Sequence, residues 1–154
     1  MGATLCTDEV ARAFHPGMHG STFGGGPLVC AVACAVIDAI EKDHLLANAT
    51  EVGDYFQSQL RLLARRHSAI TNVRGIGLMV AAEVDSADLA KLLVAEMLKR
   101  HILINCTSDT VLRFLPPFIL KREDVDTAIQ ALDEILTEQA APCGAHTAGG
   151  HSRG

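Results

Sequence analysis

The sequence predicts an α+β chain (α/β in the broad sense), a small, mainly antiparallel sheet covered by helices and preceded by a long buried helix. Three observations predict it. From residue 70 onward, strand-like runs and helical stripes follow one another in the order β-β-α-β-β-α. Leu28 to Ile40 is apolar almost all round, which suits a helix with no face left for water. Gly75-Ile76-Gly77 joins two of the strand-like runs and Pro116-Pro117 stops the last of them.

A short helix is expected around Asp8 to Phe14, followed by a glycine-dense loop. Pro27 opens the apolar helix, where a first-turn proline is tolerated because its missing N–H has no acceptor there. That helix is too short and too soon charged, at Glu41-Lys42-Asp43, to span a bilayer. A second helix carries Ala49, Val52, Phe56, Leu60 and Leu63 at helical spacing, with Arg61, Arg65 and Arg66 outside the stripe. Ile70 to Arg74 and Leu78 to Val84 read as a hairpin joined through Gly75-Ile76-Gly77. Ser86 caps a helix with the stripe Leu89, Leu92, Leu93 and Met97. Ile102 to Cys106 and Thr110 to Phe114 read as strands around a Ser108-Asp109 turn. Pro116-Pro117 stops the second, since neither residue can donate to a ladder. A last helix carries Val125, Ile129, Leu132 and Leu136.

The domain reading divides the chain into 1–45, 46–138 and a disordered tail, 139–154. With 154 residues, 49% hydrophobic and 20% charged, the chain can bury a core and is not a disordered segment. A net charge of -5 and 4% aromatics argue against nucleic acid as a partner. No membrane span is legible. Five cysteines without a zinc or disulfide spacing suit a reducing cytoplasm. No secretory signal is seen before Asp8 and Glu9, and Met1-Gly2 fits a myristoylation pattern only superficially. The expected reading is a Met1 standing before an internal fragment.

Two stretches carry chemistry. In His19-Gly20-Ser21-Thr22-Phe23-Gly24-Gly25-Gly26-Pro27-Leu28, glycines let amides approach an anion and two hydroxyls add donors. It is not a Walker loop, because no Gly-Lys-Ser/Thr follows. Glycine count alone favours a turn into a crowded helix. In Val111-Leu112-Arg113-Phe114-Leu115, the guanidinium must find a carboxylate or reach water. Its fork suits an α-carboxylate, while an edge-strand arginine snorkelling to solvent is the alternative.

Both stretches resemble the class III pyridoxal-phosphate-dependent aminotransferases, acetylornithine type, over about residues 2 to 138. Arg113-Phe114-Leu115-Pro116-Pro117, Ile104-Asn105-Cys106-Thr107, Lys121-Arg122-Glu123-Asp124-Val125 and Arg74-Gly75-Ile76-Gly77-Leu78-Met79 fit the same pattern. The resemblance implies the C-terminal portion of such an enzyme: the end of the large domain with the phosphate loop and interdomain helix, then the small domain of fold-type I. It implies that Thr22 binds the phosphate of pyridoxal 5'-phosphate held by the neighbouring subunit of a homodimer. Ser21 would touch substrate, and Arg113 would recognise the α-carboxylate of glutamate or 2-oxoglutarate. The family usually has Gly-Gly-Asn-Pro, and Gly26 stands in place of the asparagine.

The implied activity is acetylornithine:2-oxoglutarate transamination in arginine biosynthesis, in the cytoplasm, with amino-acid and 2-oxoacid substrates. Ornithine and succinyldiaminopimelate are the alternative substrates. The family's Schiff-base lysine falls outside this sequence, and Lys42, Lys91, Lys99 and Lys121 all read as solvated. The fragment is therefore expected to be inactive alone, and no catalytic residue is assigned. No metal site is expected: Pro16-Gly17 keeps His15 and His19 off a shared helix face, and Cys143, His146 and His151 lie in the tail. The rival classes are a stand-alone phosphate-ligand binding module and a structural or dimerisation domain.

Overall fold

The computed structural model describes residues 2–140. They form α1 (Asp8–Ala11), α2 (Pro27–Lys42), α3 (Leu45–Arg66), β1 (Ile70–Ile76), β2 (Met79–Val84), α4 (Ala87–Lys99), β3 (Asn105–Thr107), β4 (Val111–Phe114) and α5 (Arg122–Ala140). The chain parts into two compact units, the first ending at Leu46 and the second beginning at Ala47.

In the first unit, the Thr7 hydroxyl accepts from the Val10 amide and caps α1. The helix stops at Ala11, short of the expected Phe14. Pro27 occupies the first turn of α2, as its fixed φ suits. The expected burial of α2 is not met within this chain: Leu28, Val32, Val36 and Ile37 are 53–78% exposed and the helix has no buried residue. An all-apolar helix is covered only where other apolar surface meets it, and the first unit does not supply that surface to α2.

The second unit is built on a four-stranded antiparallel sheet of order β1-β2-β4-β3. The predicted stripe of α3 is buried throughout, from Ala49 to Leu63. Val80, Ala82 and Val84 alternate inward along β2 and meet Leu112 and Phe114 of β4. Helices α3, α4 and α5 cover that face with Leu60, Leu63, Leu93, Met97, Leu132 and Ile135. Phe56 and Phe114 pack edge to face with ring centroids 5.0 Å apart. The Ser86 hydroxyl accepts from the Leu89 amide at 3.3 Å, so α4 starts where its cap was expected.

In the second unit, further boundaries differ from the expectation. Strand β1 runs on to Ile76, and the hairpin closes through Gly77 and Leu78, with Gly77 at φ 51°. Strand β3 begins at Asn105, not Ile102, because the segment opposite 101–104 contains Pro116 and Pro117, which have no N–H to donate. Gln139 and Ala140 belong to α5 and not to a tail, because the helical pattern of Leu132, Ile135 and Leu136 carries the helix as far as Ala140. The remainder of the predicted tail, with Cys143, His146 and His151, lies outside the described residues.

Candidate functional site

The first predicted stretch lies in the first unit. Thr22 to Gly25 form consecutive turns, with the Gly24 amide donating to Ser21 O at 3.3 Å and the Gly26 amide to Phe23 O at 3.4 Å. Gly25 has φ 70°, a conformation that a side chain would strain. A Cβ on Gly24 would meet Cβ of Ser21 at 3.2 Å, so glycine there leaves the serine side chain its space. Gly26 is the N-cap of α2 and brings no capping side chain. Behind Pro27, the amides of Leu28 and Val29 open the helix with no preceding turn to accept from them. The hydroxyls of Ser21 and Thr22 are exposed and make no hydrogen bond among the described residues. Two hydroxyls and two first-turn amides are a donor set that suits a phosphate group.

The second stretch lies in the second unit. Core-facing Leu112 and Phe114 flank Arg113 on β4, so strand alternation sends Arg113 out of the opposite, open face of the sheet. It pairs in register with Ala81 of β2 on one side and Asn105 of β3 on the other. Arg74 is the register partner of Ala81 and leaves on the same face. Its guanidinium donates to Glu83 at 3.1 Å. The acid near Arg113 is thus held by another arginine, and Arg113 has no ion-pair partner among the described residues. Farther along the same face stand exposed Ile76 and Met79.

In the sequence, Arg74 and Asn105 belong to motifs that by themselves point to no chemistry. Strand alternation alone places each on a face of its own strand, but only the pairing register puts Asn105 beside Arg113 and Arg74 in the same row, with Ala81 between.

The main groove of the second unit, about 780 Å³, is lined by Phe56, Ile104, Phe114, Pro117, Leu120 and Val125 among others, and not by Arg113. It is an apolar gap at the end of the core. Lys42, Lys91, Lys99 and Lys121 are all exposed. Among the described residues, two titratable groups depart from their ordinary range. Tyr55 is raised because its hydroxyl donates to Asp126 at 2.5 Å. Asp133 is lowered, first by its hydrogen bond with His67 at 2.6 Å and then by Arg66, against the opposing effect of burial. Both contacts join α3, or the residue after it, to α5. No group of three or more metal-ligating side chains occurs among the described residues. Among the described residues, no helix is long and apolar enough to cross a membrane.

The family model of class-III aminotransferases matches residues 1–136. An acetylornithine aminotransferase of Methanocaldococcus jannaschii is 46% identical over 140 residues, 90% of this chain and 34% of that protein. Among solved structures, acetylornithine aminotransferase from Elizabethkingia anophelis superposes with a TM-score of 0.77 at 31% identity, covering 87% of this chain and 34% of the other. Ornithine aminotransferase from Toxoplasma gondii ME49 superposes with a TM-score of 0.74 at 32% identity, covering 85% and 32%. The chain therefore spans about a third of the length of the relatives it matches.

Proposed function

We propose that this chain, which belongs to the class-III aminotransferases, is the trans-acting and substrate-gripping portion of an acetylornithine:2-oxoglutarate transaminase of arginine biosynthesis. The observation that carries the reading is a set of polar groups left without partners: the Ser21 and Thr22 hydroxyls and the Arg113 guanidinium. Exposed, unengaged donors of these types suit a phosphate and a carboxylate.

The family's cofactor is pyridoxal 5'-phosphate, and the donor set at the head of α2 fits its phosphate. When bound, it supplies an electron sink for the carbon that carries the amino group. Thr22 donates its hydroxyl to a phosphate oxygen of the cofactor held by the neighbouring subunit, which makes a homodimer the working form. Ser21 donates to the substrate. Arg113 takes the α-carboxylate of glutamate or 2-oxoglutarate in two parallel hydrogen bonds, which orients the adjacent carbon. The lysines of this chain are solvated and suit no covalent role, since a reactive lysine needs a desolvated pocket. The chain alone is then inactive, and the complete enzyme works in the cytoplasm.

A chimera tests this reading. Residues 1–136 replace the matching third of the Methanocaldococcus jannaschii enzyme, and transamination of acetylornithine is measured. Activity is expected, with Arg113→Ala raising KM for glutamate and 2-oxoglutarate, and Thr22→Ala weakening cofactor retention. A chimera that turns over ornithine but not acetylornithine moves the assignment to the ornithine enzymes. Borohydride treatment of the isolated chain with pyridoxal phosphate is expected to label no lysine stoichiometrically. A single stoichiometric adduct would overturn the division of labour.

A further inference from the structure

Arg113 has two register partners, and only one of them can hydrogen bond. Ala81 offers a methyl group, while Asn105 offers a carboxamide. Directly paired residues of an antiparallel ladder hold their Cβ atoms about 4.5–5.5 Å apart and leave on the same face. The other polar groups on this face are engaged, of the wrong kind, or, like Asn72 on β1, two strands away from β4. Arg74 is held by Glu83 at 3.1 Å. The Thr107 hydroxyl donates to Val111 O at 3.5 Å, so it has only lone pairs left to offer. Asn105 is exposed and makes no hydrogen bond among the described residues. Its position on β3, at the edge of the sheet, leaves the space beyond it open. Asparagine is also a poor strand former, so strand propensity does not account for it there.

We propose that Asn105 is a second substrate-binding residue, donating an Nδ2–H to the same carboxylate that the Arg113 fork holds. This rests on the reading of Arg113 as the carboxylate-gripping residue. A planar carboxylate accepts at about four lone-pair sites, and a bidentate guanidinium fills two of them. The carboxamide fills a third from the side. The ligand class is the α-carboxylate of an amino acid or 2-oxoacid. Acid at this position would do the reverse: a carboxylate opposite Arg113 would take the fork and exclude the substrate.

The test uses this chain, with side-chain ¹⁵N resonances of arginine Nε–H and asparagine Nδ2–H₂ followed during titration with 2-oxoglutarate at constant ionic strength. The expected result is a common dissociation constant for Arg113 and Asn105, in the millimolar range for so open a site, with Arg74 unmoved. Asn105→Ala is expected to weaken binding about tenfold, and Asn105→Asp to abolish the Arg113 response. Both substitutions are on an exposed edge and leave the core untouched. If Arg113 moves and Asn105 does not, the proposal falls while the reading of Arg113 stands. If neither moves, the reading of Arg113 falls and the proposal with it.

Discussion

Arg74 donates to Glu83 at 3.1 Å on the open face of the sheet, in the same register row as Arg113 with Ala81 between them. That contact engages Glu83, the acid diagonal to Arg113 across β2 and β4. Both partners are well exposed, so the pair adds little to stability. Arg74→Ala is expected to change folding free energy by less than about 1 kcal/mol. It frees Glu83 to compete for Arg113, so 2-oxoglutarate binding should weaken while a denaturant midpoint hardly moves. Unchanged binding would show that Glu83 cannot reach Arg113.

Gly53 in the middle of α3 touches the β1–β2 turn. A Cβ there would lie 2.1 Å from Gly77 O and 2.4 Å from Gly77 C. Alanine gains up to about 1 kcal/mol of helix propensity over glycine. The clash is with backbone, which cannot swing aside like a flexible side chain, and it wins. Gly53→Ala should lose about 2–3 kcal/mol in urea unfolding. A stabilised variant would mean that α3 can move off the hairpin freely.

Asn48 uses both amide hydrogens, donating to Phe118 O at 2.7 Å and to Leu120 O at 3.0 Å. These bonds tie α3 to the segment that follows the proline stop. Asn48→Ala leaves two carbonyls to find water, at about 1–2 kcal/mol. Amide exchange should quicken first between Pro117 and Lys121.

Asp133 accepts from His67 Nε2 at 2.6 Å and from Arg66 Nη2 at 2.7 Å. Its pKa is lowered on folding, chiefly by His67, so the native chain binds the proton less readily than the unfolded chain. The stabilisation is fully present above the ordinary carboxylate range and is lost as pH falls below about 4. Asp133→Asn should flatten the acid limb of stability against pH while lowering stability at neutral pH. An acid limb as steep as before would assign the titration to other carboxylates.

Local order was legible from the residues. The stripe from Ala49 to Leu63, the cap at Ser86 and the stop at Pro116 follow from spacing within a few residues, and the structure keeps them all. The start of β3 was not legible, because it depends on which amides the opposite segment can offer. The exposure of α2 was not legible either: an apolar helix states its preference, not whether anything in the chain meets it.

The sequence by itself determined the element types, their order, the family, and Ser21, Thr22 and Arg113 as candidate residues. These are local properties, written in spacings of two, three and four residues and in two short motifs. Tertiary structure decided which groups share a surface. Pairing of β2 with β4, across an intervening helix and strand, brings Ala81, Arg113 and Asn105 into one row and sets Arg74 beside Glu83. Register between distant strands comes from packing of the whole core, and a slip of one residue would turn each of those side chains to the other face.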